Sequence, residues 1–125
     1  MAGKPDQVLL GSSDPTFRGD ATRFNPEEFL LAALSQCHLL SYLHACVMAG
    51  VVVVGYSDEA TARMITTPDG SGHFAEVTLH PVVTIAAGSD QQAAAKAHEA
   101  AHSMCFIANS VNFPVHHEPV IKVAG

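Results

Sequence analysis

Three cysteines, Cys37, Cys46 and Cys105, are the side chains of this sequence best suited to covalent chemistry. A cysteine thiolate is a nucleophile, whereas a neutral free cysteine usually serves as a small buried apolar residue. On residue pattern alone the second description suits all three, and Cys46 best. The chain has no CxxC, which excludes a thioredoxin-type dithiol. Cys37 and Cys46 stand nine residues apart. On one helix that spacing turns through about 900°, so the two point to opposite sides and cannot share a site.

A second pattern with chemical content is His98-Glu99-Ala100-Ala101-His102. It matches HExxH, in which two histidines one helical turn apart bind zinc and the glutamate activates water. The match is short, no third ligand follows at a known spacing, and the same segment carries Cys105. A zinc hydrolase is therefore the remote alternative, and His102 reads as a neighbour of Cys105. The other histidines show no ligand spacing. His38 and His44 are expected as hydrogen-bonded, mostly buried imidazoles. His38 is turned about 100° from Cys37 on a helix, so it is not assigned as a base.

The elements that must position these residues are legible in outline. Asn25 is a good N-cap, Pro26 suits the first helical position, Glu27 and Glu28 suit the positive end of the dipole, and Gly50 is a natural stop. This predicts a helix over residues 26–49. Val51 to about Ile65 reads as a strand, Pro68 to Gly72 as a turn, and His73 to Ile85 as the return strand of a hairpin, with Pro81 at an edge or bulge. Ser89 with Gln92 has capping-box spacing before an alanine-rich helix over about 90–108. Its inner face is read as Ala94, Ala97, Ala101, Cys105 and Ala108. His117 to Val123 reads as a last strand, and the first 24 residues as an ordered loop. The sum is α+β: an antiparallel sheet with two long helices packed on one face.

Length and composition bound the rest. The chain has 125 residues, 48% of them hydrophobic and only 14% charged. That excludes intrinsic disorder and fits one domain over 1–125 that hides surface in an oligomer. The net charge is −6, and six scattered basic residues leave no patch for a phosphate backbone, so no nucleic-acid partner is expected. Residues 29–57 carry no Asp, Glu, Lys or Arg. Their internal polar residues, Gly50 and the lack of flanking basic clusters favour a buried helix over a membrane span. With an odd cysteine count and no leader pattern, the expected compartment is the reducing cytoplasm.

Arg18-Gly19-Asp20, followed by Asn25-Pro26-Glu27-Glu28-Phe29-Leu30-Leu31-Ala32-Ala33-Leu34-Ser35-Gln36-Cys37-His38, resembles the first signature of the OsmC/Ohr family of osmotically inducible and organic-hydroperoxide-resistance proteins. The segment from Ala101 through Cys105-Phe106-Ile107-Ala108-Asn109-Ser110 to Val111 resembles the second. The order helix, strand pair, helix, strand also matches, and the resemblance covers residues 14–123. Members usually begin with additional strands before the loop at Ser12–Gly19, which here are short or missing.

The resemblance implies an OsmC-like fold, an intertwined homodimer, and a peroxidase that reduces organic hydroperoxides and hydrogen peroxide. By motif position Cys37 is the peroxidatic cysteine, Cys105 the resolving cysteine and Glu27 the motif carboxylate; the active-site arginine maps to Arg18, with Arg23 as the other choice. No cofactor or metal is implied. The reductant is an external dithiol, protein-bound dihydrolipoyl in studied branches. A non-enzymatic redox sensor or binding relative is the alternative.

The implied chemistry makes demands. A free thiol near pKa ~8.5 is mostly the wrong species at neutral pH, and burial raises it further. A guanidinium could hold thiolate and peroxide oxygens together, aimed by a carboxylate such as Glu27. Glu27 and Cys37 lie about 15 Å apart along one helix. Either Arg18 spans that gap, or Arg18 and Glu27 of one subunit complete the site around Cys37 of the other, the arrangement favoured here. Phe29, Leu40 and Phe106 are candidates to line a pocket for an alkyl tail.

Overall fold

Asn25 starts the first helix by a reciprocal pair of bonds. Its side chain accepts the Glu28 N–H at 2.8 Å, and the Glu28 carboxylate accepts the Asn25 N–H at 2.9 Å. With Pro26 in the first turn, this capping box opens helix α1, Pro26–Ala49. Gly50 ends it in the left-handed region at φ 72°, where a side chain would be strained. The computed structural model describes residues 4–125.

α1 is long and apolar enough to cross a membrane. Here its buried stripe of Leu34, His38, Tyr42, Ala45 and Cys46 lies in the core. The second helix, α2, spans Gln91–Met104. Its cap is Asp90, whose carboxylate accepts the Gln92 and Ala93 N–H groups. The expected Ser89 cap is displaced, because the Ser89 hydroxyl instead accepts the Val52 N–H at 3.2 Å. Ala94, Ala97 and Ala101 are buried as expected, joined by His98. The helix stops at Met104 rather than near 108, and a single turn of 3-10 helix, Ala108–Ser110, follows.

Each arm of the expected hairpin is two strands. The outgoing arm is β1, Val53–Asp58, and β2, Thr61–Thr66; the return arm is β3, Gly72–Leu79, and β4, Pro81–Ile85. The tail is also double, β5 at Val115–His117 and β6 at Val120–Val123. Two three-stranded sheets result, ordered β1-β4-β6 and β2-β3-β5. The hairpin pairs, β1 with β4 and β2 with β3, are antiparallel, while β5 and β6 add in parallel to β3 and β4.

All three arms break, and two of the breaks fall at a proline. Pro81 and Pro119 have no N–H to give a ladder. Asp58 fills the gap on the first arm: one carboxylate oxygen accepts the His80 N–H at 2.7 Å and the other the Ser35 hydroxyl at 2.5 Å. Pro81 therefore sits not at an edge or bulge but as the buried first residue of β4, the central strand of its sheet. That is a position where a missing donor costs little.

The core divides with the sheets. Tyr42, Cys46, Val83, Ile85, Ala94 and Ala101 pack α1 and α2 on the first sheet. Leu34, Val77, Leu79 and Val115 join the front half of α1 to the second. No strand precedes β1 among the described residues; a lone bridge joins Gly11 to Phe24.

Candidate functional site

Cys37 lies midway along α1, partly buried, and Cys105 is buried where α2 ends. The sequence separates them by 68 residues, yet the fold makes their side chains neighbours, each a free thiol. The end of α2 sets this up. Cys105 leaves the helix at φ −72° and ψ 109°, and the next residues curl back over it. The Ala108 N–H points at the Cys105 sulfur at 3.4 Å, and the Asn109 N–H donates to the Cys105 carbonyl at 3.0 Å.

Burial, followed by the neighbouring Cys37 thiol, pushes the Cys105 thiol up to about 11, partly opposed by the backbone N–H groups of Ala108 and Ile107. At neutral pH Cys105 is a protonated thiol, and Cys37 is the more accessible sulfur. Cys46 lies on the other side of α1, buried beside Tyr42, with its thiol raised by that burial. It is packed in the core, as the helical spacing required.

The charged residues lie elsewhere in the chain. Arg18 closes a 3-10 turn, Pro15–Phe17, with its own backbone left-handed at φ 65°, and it is exposed. The turn is held firmly: the Asp14 carbonyl accepts the N–H of Phe17 and of Gly19, and the Ser12 hydroxyl accepts the Asp20 N–H. Gly19 is required there, because a Cβ would stand 1.5 Å from the Ser13 carbonyl oxygen. Glu27 is exposed in the first turn of α1 and forms no ion pair with Arg18 within the chain. Arg23 pairs with Asp20 at 3.7 Å and Arg63 with Glu76 at 2.9 Å. One chain thus brings the two sulfurs together and leaves Arg18 and Glu27 at its surface.

A buried histidine cluster lies between the helices. His38 Nε2 and His98 Nδ1 are 2.9 Å apart, both side chains fully buried, with Tyr42 stacked on His98 at 3.9 Å between ring centres. His117 and then His102 continue the cluster outward. Burial drives both imidazoles neutral, His38 down to about 4 and His98 to about 3. His38 is buried and hydrogen-bonded as expected, but His44 is exposed. In the sequence His98 stands out only as half of HExxH; its partner lies 60 residues away, beyond any local spacing. No group of three or more His, Cys, Asp or Glu side chains among the described residues is placed to hold a metal ion.

Two clefts flank the front of α1. One of about 630 Å³ is lined by Glu28, Ser35, Tyr56 and Asp58; the other, of about 490 Å³, by Phe17, Glu27, Met64 and Ile65. Neither reaches a cysteine. The expected alkyl pocket is not assembled by one chain: Phe29 packs edge-on against Phe24, while Leu40 is exposed and Phe106 is 81% exposed. Leu40, Val47 and Met48 form an exposed apolar stripe on the Cys37 side of α1.

Comparisons with known proteins bear on this arrangement. A family model described as OsmC-like protein matches residues 19–119, a range that holds Cys37, Cys105 and Glu27 and starts one residue after Arg18. An OsmC-like protein of unknown function from Vibrio cholerae is 32% identical over 90% of this chain and 77% of its own, with a TM-score of 0.81. An OsmC-like protein from Mycoplasma pneumoniae shares the fold at 17% identity and TM-score 0.77, covering 94% of this chain and 84% of that one. An organic hydroperoxide resistance protein from Elizabethkingia anophelis does so at 18% identity and 0.68, covering 90% and 78%. A search of curated proteins found no match.

Proposed function

The chain belongs to the OsmC-like protein family, and from that membership we propose that it is a thiol peroxidase that reduces organic hydroperoxides, and hydrogen peroxide, through Cys37 and Cys105. The observation that carries this reading is the meeting of the two thiols, one accessible and one buried.

In this reading the Cys37 thiolate attacks the terminal peroxide oxygen. The O–O bond breaks, the alkoxide takes a proton and leaves as the alcohol, and Cys37 is oxidised to a sulfenic acid. Cys105 then attacks that sulfur. Its thiol proton leaves with the displaced hydroxyl as water, and the two residues are joined by a disulfide. A protonated, buried Cys105 is suited to this second role, since it competes poorly for the first peroxide. An external dithiol, such as a protein-bound dihydrolipoyl group, returns both thiols and closes the cycle.

The cation the thiolate needs would come from a second copy of the chain. In a homodimer, Arg18 and Glu27 of one subunit would face Cys37 of the other, and the exposed apolar stripe of α1 with Phe106 would be covered and would wall the substrate pocket. Dimerisation is then a condition of turnover. The reducing cytoplasm would supply the external dithiol.

One observation favours a second reading. The surroundings of Cys105 are the Cys37 thiol and backbone N–H groups, with no guanidinium among them. A thiol pair without a cation would react slowly and suit a stoichiometric redox sensor. Steady-state reduction of cumene hydroperoxide with a dithiol separates the two: many turnovers per Cys37 support the peroxidase, and consumption that stops at one equivalent supports the sensor.

A further inference from the structure

The catalytic cycle leaves one built feature unused, the buried pair to which the HExxH segment contributes. α1 and α2 meet along a seam whose α2 side is Ala94, Ala97 and Ala101. Alanines allow close approach but raise low ridges, so such a seam resists separation better than it resists sliding or rotation. Two directional bonds cross it. The Tyr42 hydroxyl donates to the Ala94 carbonyl at 3.0 Å, and His38 Nε2 meets His98 Nδ1 at 2.9 Å. The two imidazoles are coplanar within 2°, and Tyr42 stacked on His98 holds the plane.

The pair sits where slippage would matter. His38 directly follows Cys37 on α1. His98 lies seven residues before Cys105, on the same side of α2. A shift that breaks the histidine contact also changes the distance between the sulfurs. The bond also carries a cost, since His98 Nε2 is buried with no partner. An apolar pair of the same volume would avoid that cost, so what the histidines add is a defined register.

We propose that the His38–His98 hydrogen bond is a positioning device that holds the two helices at the register in which the Cys37 and Cys105 sulfurs meet. It rests on the reading of those thiols as a redox pair, and it assigns the histidines no contact with peroxide.

The test is the equilibrium of the pair with glutathione, which needs no peroxide. The protein dithiol gives two hydrogens and two electrons to glutathione disulfide, yielding the protein disulfide and two glutathiones. The oxidised fraction is read by mass after alkylation, at neutral pH, for wild type, His98→Phe, His98→Asn, His38→Gln and His38→Phe. Phenylalanine keeps a flat aromatic ring, somewhat larger than imidazole, without a hydrogen bond, so the Asn and Gln variants separate loss of the bond from added bulk. Asparagine places a polar atom near Nδ1, and glutamine one near Nε2.

The expected result is a shift of about tenfold toward the dithiol in each Phe variant, the weight of one buried hydrogen bond. The double Phe variant should shift no further than either single one, and His98→Asn and His38→Gln should recover most of the wild-type value. The Phe variants fill the seam, where an alanine would leave a cavity, and the polar variants control for their added bulk. Phe variants that match wild type would overturn the proposal and leave the peroxidase reading untouched. Wild-type protein that never forms the Cys37–Cys105 linkage would overturn both.

Discussion

The Cys105 sulfur neighbours the Cys37 thiol and receives the Ala108 N–H at 3.4 Å. This relationship joins the end of one helix to the middle of another and separates the two sulfurs by environment: burial keeps Cys105 protonated, while Cys37 is only partly buried.

Removing either sulfur should therefore give different chemistry. Cys37→Ser is expected to lose at least a thousandfold in hydroperoxide turnover, on the order of a lost nucleophile. Cys105→Ser is expected to stop after one equivalent, with a sulfenic acid at Cys37 that a dimedone-type reagent traps. Wild-type turnover in Cys37→Ser would end the peroxidase reading.

The shared-site arrangement is open to a complementation test. Arg18→Ala and Cys37→Ser chains should each be inactive alone. Mixed and allowed to exchange subunits, they should regain roughly a quarter of wild-type turnover, since half the dimers then carry one intact site of two. Glu27→Gln should behave as Arg18→Ala does in the mixture. No recovery on mixing would place Arg18 and Cys37 in one subunit.

Cys46 serves as a control. It is buried in the core away from Cys37, so Cys46→Ala should leave turnover and the glutathione equilibrium unchanged and cost about 1 kcal/mol in a urea melt for the lost packing. A loss of turnover larger than the loss of folded protein would bring Cys46 into the chemistry.

Acid should weaken the fold in a window set by the histidines. Unfolded imidazoles titrate near 6.5, while burial holds His38 to about 4 and His98 to about 3, so between these values the unfolded chain binds more protons. Stability is then full above about pH 7 and falls as pH drops toward 4, by about 3 kcal/mol for His38 alone. Asp58 opposes the shift at His38, while His117 and His102 add to it. The carboxylates held low by hydrogen bonds, Asp14, Asp20, Asp69 and Glu76, lose their contribution as pH falls through their ordinary values of 3.8 and 4.5, so they add to the decline only at the acid end of this window. Urea midpoints at pH 7, 5.5 and 4 should decline for wild type and much less for the His38→Gln/His98→Asn double variant. Equal slopes would contradict the neutral buried pair.

Local signals were legible in the sequence, and the long-range ones less so. Asn25, Pro26, Glu28 and Gly50 act within a few residues of themselves, and α1 begins and ends where they place it. The alanine face of α2 was likewise visible, because a helical period needs only local spacing. The break in the hairpin was not, since Pro81 is tolerated through a carboxylate 23 residues earlier, Asp58, that also binds Ser35. Asp90 took the cap from Ser89 because the Ser89 hydroxyl had a better partner in Val52. The His38–His98 bond joins two helices, and no single-helix period predicts it.

An organic peroxide should join Cys37 to Cys105. Fully reduced protein treated with one equivalent of cumene hydroperoxide, alkylated and digested without reductant, should yield one cross-linked species containing the Cys37 and Cys105 peptides, with Cys46 alkylated. Separate Cys37 and Cys105 peptides, or a linkage through Cys46, would contradict it.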